Sequence, residues 1–447
     1  MRKLQYIFLV SLLLGQVGVG FLSAQDYARM TERTIMGTAR YVGFGGAMSA
    51  IGGDPSAVRD NVAGLGLYRR TELILTLDYA YDRTWQKGIE GIQNTHLFMA
   101  PEASLVLSLP ILKADEQGIL AHNFMFSYHR LQSYARRIDA SGDTVPSMGN
   151  LFASTGADLG IAYCTDRTAK ANYLTLKESG YANEYGIDWS MNISNRWYVG
   201  LGLRVQSYML SSDADYEETF SQVSATGKLY YNRNQTRVIY SGASFNLSAG
   251  FIYRPVSWFR LGFGLQTPSL GSLNISSSGE LTAQTDSLRS SRAPYKGDTF
   301  SDFHQPLHLS SSAAFQIGYY GLIAFQYDYY HQKDEADIHS LRAGLEIIPV
   351  PGMYINAGYV YESTFKRQDK MVPVDPTLDR QDAYFMRPRW SQYASIALGY
   401  RGKYAIVQAA YQYRWQGINM YAHEAADPYD IRTNTHRVVV TIGWHRY

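Results

Sequence analysis

From residue 71 onward the chain keeps returning to a period of two. Leu73, Leu75, Leu77, Tyr79 and Tyr81 fall on one side of an extended chain, while Glu72, Thr76, Asp78 and Asp82 fall on the other, with Ile74 the exception. Successive side chains of a strand point to opposite faces, so such a segment has one greasy face and one wet face. Residues 184–194 are cleaner. Tyr185, Ile187, Trp189, Met191 and Ile193 alternate with Glu184, Gly186, Asp188, Ser190, Asn192 and Ser194. The same rhythm returns at Trp197–Val205, Phe245–Tyr253, Phe259–Leu265, Tyr319–Tyr329, Met353–Tyr361, Ala405–Trp415 and, on one face near the end, Val438, Val440, Ile442 and Trp444. A soluble β-sandwich also alternates, but its strands usually run to ~5–6 residues. Several runs here are longer and match the ~9–11 residues of a tilted transmembrane strand. Paired aromatics close several greasy faces, as at Tyr79/Tyr81, Tyr327/Tyr329 and Tyr411/Tyr413, where an aromatic girdle belongs.

The fold class expected is therefore all-β: a transmembrane antiparallel β-barrel. Short and long connections alternate along the chain. Short ones are expected at 110–117, 195, 254–257, 318, 350–352 and 402, and longer ones at 83–95, 133–182, 209–235, 269–304, 332–338, 365–388 and 416–433. Six turns and seven loops give about fourteen strands. That number is even, which puts both chain ends on the periplasmic side. Ala157, Leu159, Ile161 and Tyr163 would add a strand, and parity would then require sixteen. A loop over 133–182 that folds across the mouth is the reading adopted.

The start of the chain sets the compartment. Arg2 and Lys3 precede an apolar stretch from Tyr6 to Leu14 interrupted by Ser11, and Leu22-Ser23-Ala24 offers a cleavage site before Gln25. This is the layout of a secretory signal peptide over residues 1–24; the apolar stretch is shorter than the ~20 residues that a membrane helix requires. Cell outer membrane is the expected location, with outer-membrane lipid as a partner. The 41 Lys+Arg and 39 Asp+Glu nearly cancel, which argues against a nucleic-acid partner. Cys164 is the only cysteine, so no internal disulfide forms. The 37 tyrosines suit a membrane interface, and the 39 glycines suit tight turns and a crowded barrel interior.

Residues 25–70 do not alternate. Gly43-Phe44-Gly45-Gly46-Ala47-Met48 misses the dinucleotide fingerprint because Met48 stands where glycine is required. Asp54-Pro55 reads as an N-cap followed by proline at the first helical position, starting a short helix to about Asp60. Asn61-Val62-Ala63-Gly64-Leu65 then leads into the first strand. In this stretch the sequence resembles the FadL/TodX family of outer-membrane transporters for hydrophobic compounds. That family carries Asn-Pro-Ala-Gly-Leu just before strand one; here Val62 replaces the proline. Gly37-Thr38-Ala39-Arg40 and the run from Ala50 to Ala57 also look like the family's pattern. The resemblance implies a fourteen-stranded barrel at 71–447 and a plug, or hatch, at 25–70 inside it. It further implies passive uptake of a hydrophobic small molecule such as a long-chain fatty acid. Asp54, Pro55, Asn61, Ala63 and Gly64 are the hatch or gate candidates. Leu151, Phe152, Leu174 and Leu176 are candidates for ligand capture from the 133–182 loop.

No catalytic constellation is evident: neither a GxSxG elbow nor an HExxH helix occurs. No enzyme activity and no cofactor are expected. His331, Asp334, Glu335, Asp337 and His339 suggest a cation site, but a solvated hairpin tip explains them better, and no metal is expected. His304 and His308 read as lumen-facing rather than haem-ligating. Two other functions stay open: a scaffold barrel that binds protein partners of a secretion machine in the envelope, and a general porin.

Overall fold

A computed structural model describes residues 29–86, 93–111, 117–141, 169–223, 229–284, 291–331, 337–364, 385–421 and 429–446. The strands are β1 (Thr71–Gln86), β2 (Gln93–Pro110), β3 in two pieces (Ile119–Ser133 and Arg136–Ser141), β4 (Ala169–Ile193), β5 (Trp197–Val223) and β6 (Leu229–Val256). Then come β7 (Phe259–Gln266 and Leu270–Gln284), β8 (Ser291–Phe303 and Leu307–Ile317), β9 (Gly321–His331) and β10 (Ile338–Ile347). The wall is completed by β11 (Met353–Thr364), β12 (Phe385–Arg401), β13 (Ala405–Tyr421) and β14 (Tyr429–Arg446). The paired pieces count as single strands because each pair shares a neighbour: both pieces of β3 lie along β4, and both pieces of β7 along β6.

Every neighbouring pair is antiparallel, and β1 pairs with β14 over its whole length, from Thr71↔Arg446 to Gln86↔Ile431. This closes a barrel of fourteen strands among the described residues. A closed sheet leaves no edge, which is the condition for strands to cross lipid. β3 and β4 pair directly as far as Ser141↔Tyr173, so no further strand enters the wall between them. Among the described residues no helix is long and apolar enough to cross a membrane.

The alternation maps onto the wall as the sequence requires. Leu73, Leu75, Leu201, Leu247, Phe263, Ile396, Val407 and Ile442 point outward and are exposed, while Glu72, Thr76, Arg204, Asn246, Gln408 and Thr441 point inward and are buried. The connections were read too long. The described residues of the expected loops at 133–182, 209–235 and 269–304 are largely strand, because β3 to β8 continue well beyond the others. Outside this extension the surface is wet, with Arg233 paired to Asp215 at 2.6 Å and Arg237 to Asp213 at 2.5 Å. Leu174 and Leu176 accordingly sit on β4, buried and facing inward, rather than on a loop. Leu151, Phe152 and the possible strand at 157–163 lie outside the described residues, as do residues 1–24, for which a signal peptide is the expectation.

Residues 29–70 lie inside the barrel. They hold two short helices, α1 (Ala39–Gly43) and α2 (Pro55–Asp60), and a 3-10 turn at Val62–Leu67. Thr38 caps α1 by accepting from the Tyr41 N–H, and Asp54 caps α2 by accepting from the Ser56 N–H. Gly45 and Gly46 reverse the chain at φ 64° and 70°, a conformation open to glycine without strain. The segment nests against the wall where the wall has glycine. A Cβ on Gly250 would run into Asn61, and one on Gly358 into the backbone of Phe44 and Gly45.

Candidate functional site

The lumen is divided into a polar zone that grips the inner segment and an apolar zone beside it. The grip begins with Asp60 at the end of α2. Asp60 accepts from Arg342 on β10 at 3.0 Å and from the Tyr41 hydroxyl at 2.6 Å. Arg342 also pairs with Asp328 on β9 at 2.9 Å, and Asp328 holds His308 of β8 at 2.9 Å. Burial alone would raise the Asp60 carboxyl, but the cations around it, Arg342 foremost, outweigh burial and hold it down to about 2. A second clamp lies at the start of the segment. Glu32 takes hydrogen bonds from Arg29 at 2.6 Å, from Arg414 of β13 at 3.2 Å and from Gln416 at 3.1 Å, with Arg136 of β3 at 3.8 Å. Burial again opposes the charge, and the field of Arg29, Arg136 and Arg414 overrides it, leaving Glu32 at about 2. A third clamp joins Arg40 to Glu346 at 2.8 Å.

The residues singled out from the sequence as hatch or gate cluster along one side of this segment. The Asp54 carboxylate receives the Thr38 hydroxyl at 2.7 Å and the Ser56 N–H at 3.0 Å; burial nevertheless raises its pKa above the usual carboxylate range. Pro55 starts α2, where its missing N–H is not needed. Asn61 donates to the Ser49 carbonyl at 2.8 Å and to the Phe251 carbonyl of β6 at 3.3 Å, and accepts from the Ala63 N–H at 3.1 Å. One asparagine thus ties the segment to itself and to the wall. Ala63 is buried beside Tyr198 and Ile252. The Gly64 carbonyl accepts from the Gly53 N–H at 3.1 Å, which closes the loop between the two glycine-rich runs. Val62 stands where the resembling family has proline; it opens the 3-10 turn and is buried against Val58 and Leu65.

The sequence reading missed the apolar zone. Met30 from the inner segment packs with Leu131 and Tyr134 of β3, Ala182 of β4, Tyr208 and Leu210 of β5, Val238 and Tyr240 of β6, Leu273 and Ile275 of β7 and Phe303 of β8. Tyr208 and Phe303 meet edge to face with ring centroids 4.8 Å apart. The zone therefore spans the inner face of six adjacent strands. It lies where β7 and β8 are both interrupted, at 267–269 and 304–306, each interruption holding a proline, Pro268 and Pro306. His304 falls in that interruption, with Nδ1 2.7 Å from the Ser269 carbonyl, while His308 faces the lumen. Beside the zone lies a cavity of about 50 Å³, lined by Arg29, Arg136, Arg414 and Arg437 and by Glu32, Asp82, Thr34 and Gln132. A water needs ~10–15 Å³ of such space, so the cavity is sized for a few waters.

The outer hairpin read as a solvated tip is described only in part. His331 pairs with Asp337 at 2.9 Å and His339 bonds Tyr327 at 2.6 Å, and no cluster of three metal-ligating groups occurs there among the described residues. Asp334 and Glu335 lie outside the described residues.

No protein-family model matches the sequence, and no curated protein matches it. Solved structures do match. A Pseudomonas aeruginosa FadL homologue aligns at a TM-score of 0.57 and 12% identity, over 92% of this chain and 98% of its own. The Pseudomonas putida toluene transporter TodX aligns at 0.54 and 12%, over 93% and 99%. The Ralstonia pickettii toluene transporter TbuX aligns at 0.54 and 13%, over 92% and 98%. The fold is that of the FadL and TodX barrels. The match covers more than nine-tenths of the chain, whereas side chains at this identity must be argued from this chain alone.

Proposed function

We propose that the protein resides in the outer membrane and passively takes up a hydrophobic small molecule, with a long-chain fatty acid the best-fitting substrate. The observation that carries this reading is the apolar zone from Met30 to Phe303, built by the inner wall with Met30 of the inner segment, whereas the larger apolar cluster around Tyr41 and Phe44 is filled by the inner segment. An acyl chain gains ~0.8 kcal/mol for each buried CH₂, so such a surface binds it without many polar contacts. The arginines beside the zone suit a carboxylate headgroup: Arg29, Arg136, Arg414 and Arg437 outnumber Glu32 and Asp82 in the cavity they line.

Uptake would proceed in three steps. The ligand is captured at the outer mouth, where Leu174 and Leu176 present inward apolar side chains. It then moves along the apolar zone until its headgroup competes with Glu32 for Arg136 and Arg414. Finally residues 29–70, acting as the hatch, shift, or a gap opens between strands at the paired interruptions of β7 and β8. Asp54, Pro55, Asn61, Ala63 and Gly64 act structurally in this scheme, holding the closed position. The narrow cavity favours a closed barrel over a general porin. Arg446, the last described residue, lies opposite Thr71 at the short-turn end of the wall, which suits a periplasmic C-terminus. No step needs catalysis or a cofactor. The test is labelled fatty-acid uptake in a deletion strain: uptake should fall and return with the gene. Unchanged uptake of every lipophile tried would remove the reading.

A further inference from the structure

The outer surface carries an ordered feature that transport through the lumen does not use. Where β13, β14, β1 and β2 lie side by side, the apolar band ends in hydrogen-bonded tyrosine–histidine pairs. The Tyr79 hydroxyl lies 2.7 Å from His96 Nδ1, and the Tyr411 hydroxyl 2.7 Å from His436 Nδ1. The construction is the same in both. Each histidine sits opposite a second tyrosine, two residues further up its strand, in the register Tyr81↔His96 and Tyr413↔His436. The rings of each of those pairs lie 4.9 Å apart. Tyr81 is also opposite His436, so it stands between the two histidines. The motif returns on the far side of the barrel, where Tyr327 bonds His339 at 2.6 Å and Tyr329 lies opposite.

Above Tyr81 on the same outward face stands Arg83. It is exposed, faces Asn434 and Asn94 in the register, and makes no ion pair among the described residues. Its height is informative. Ten residues from Leu73 at ~3.3 Å each, on a strand tilted by ~40°, rise ~25 Å, the thickness of the apolar band of such barrels. A cation with no ion pair among the described residues therefore sits at the level of the outer-leaflet headgroups, directly above a wall of Leu73, Leu75 and Leu77.

We propose that Arg83, His96 and His436 form a headgroup site for a phosphorylated lipid of the outer leaflet. Arg83 takes the phosphate, since a guanidinium fork matches phosphate oxygens. The histidine and tyrosine groups hydrogen-bond the polar linkage below it, and the acyl chains run down the leucine face. A free phosphate would use Arg83 but not the leucines. The site depends on the barrel and its orientation in lipid, not on the uptake reading.

The test is native mass spectrometry of the full chain in detergent, titrated with phosphatidylglycerol, with diacylglycerol of the same chains, and with inorganic phosphate. Phosphatidylglycerol should be retained over diacylglycerol, and Arg83→Gln should weaken that retention about ten-fold, the size of a lost charge-assisted hydrogen bond. H96F with H436F, which keeps the rings and removes their nitrogens, should weaken it about three-fold. Arg237→Gln, on the wet extension, should leave it unchanged. Heat-modifiable migration on gels confirms that each variant is folded. Equal retention of the two lipids, an Arg83→Gln protein that holds phosphatidylglycerol as wild type does, or displacement of the lipid by inorganic phosphate would each overturn the proposal.

Discussion

The two halves of the barrel wall solve different problems. From β9 round to β2 the strands are 10 to 18 residues long, unbroken, and line the lumen with Gln326, Asp328, Arg342, Glu346, Gln408, Arg414 and Arg437. From β3 to β8 the strands reach 28 residues, three are interrupted, and the upper inner face is apolar. The first half grips the inner segment with buried ion pairs. The second offers an oily surface beside buried pairs of its own, Arg204 with Glu184 and Asp188 and Arg29 with Glu178. Buried ion pairs stabilise little relative to a well-packed apolar substitute, yet breaking one by removing a single partner is expensive. The polar half is therefore suited to hold one closed position that ends abruptly once a charge is displaced. The halves meet at Arg29 and Met30, where neighbouring residues of one segment point to the arginine-lined cavity and to the apolar zone.

The comparison can be broken from the polar side first. Arg342→Ala leaves Asp60 and Asp328 buried without their cation, which should weaken the closed position by ~3–5 kcal/mol. Hydrogen exchange over residues 39–67 should rise sharply and single-channel current should appear. From the apolar side, Phe303→Ala should destabilise the upper wall by ~3 kcal/mol and raise KM for fatty-acid uptake, while exchange over 39–67 stays as in wild type. Gly358→Ala places a Cβ against the backbone of Gly45 and should loosen the inner segment by ~1–3 kcal/mol, read by the same exchange measurement.

Acid should separate the halves without mutation. Asp60 and Glu32 are both held at about 2 in the folded protein, below their ordinary 3.8 and 4.5. Their contribution is therefore complete above pH ~4.5 and declines as pH falls toward ~2. Exchange over residues 39–67 should accelerate across that window, with no matching change at Leu210, Tyr240 or Ile275. The smallest effect belongs to the outer face: Leu75→Ala should shift stability by ~1 kcal/mol or less and leave uptake and exchange unchanged, because its side chain meets only lipid.

The parts legible in the sequence are those where one face meets hydrocarbon. Leu73 to Tyr81 and Tyr185 to Ile193 announce their strands because lipid outside and polar groups inside enforce the alternation. The upper parts of β4 to β6 escaped because the phase inverts above the membrane. There Asp213, Asp215, Arg233 and Arg237 face water outside, while Leu174, Leu176, Tyr216 and Val238 face inward, so the segment reads as an irregular loop. The apolar zone was invisible for a related reason: its residues come from six strands and share no local motif. Asp54-Pro55 gave away a helix cap by local chemistry, whereas nothing local in Asp60 points to Arg342, 282 residues away. The glycines carried a signal that went unused, since Gly250 and Gly358 mark where the inner segment touches the wall.

The division of labour is tested most directly by photocrosslinking a diazirine-bearing fatty acid to the full-length protein in lipid bilayers and mapping the adducts by mass spectrometry. The account predicts adducts on Met30, Tyr208, Tyr240 and Phe303, competed away by unlabelled fatty acid. Adducts confined to outward residues such as Leu201, Leu247 and Ile442, unaffected by competitor, would contradict it.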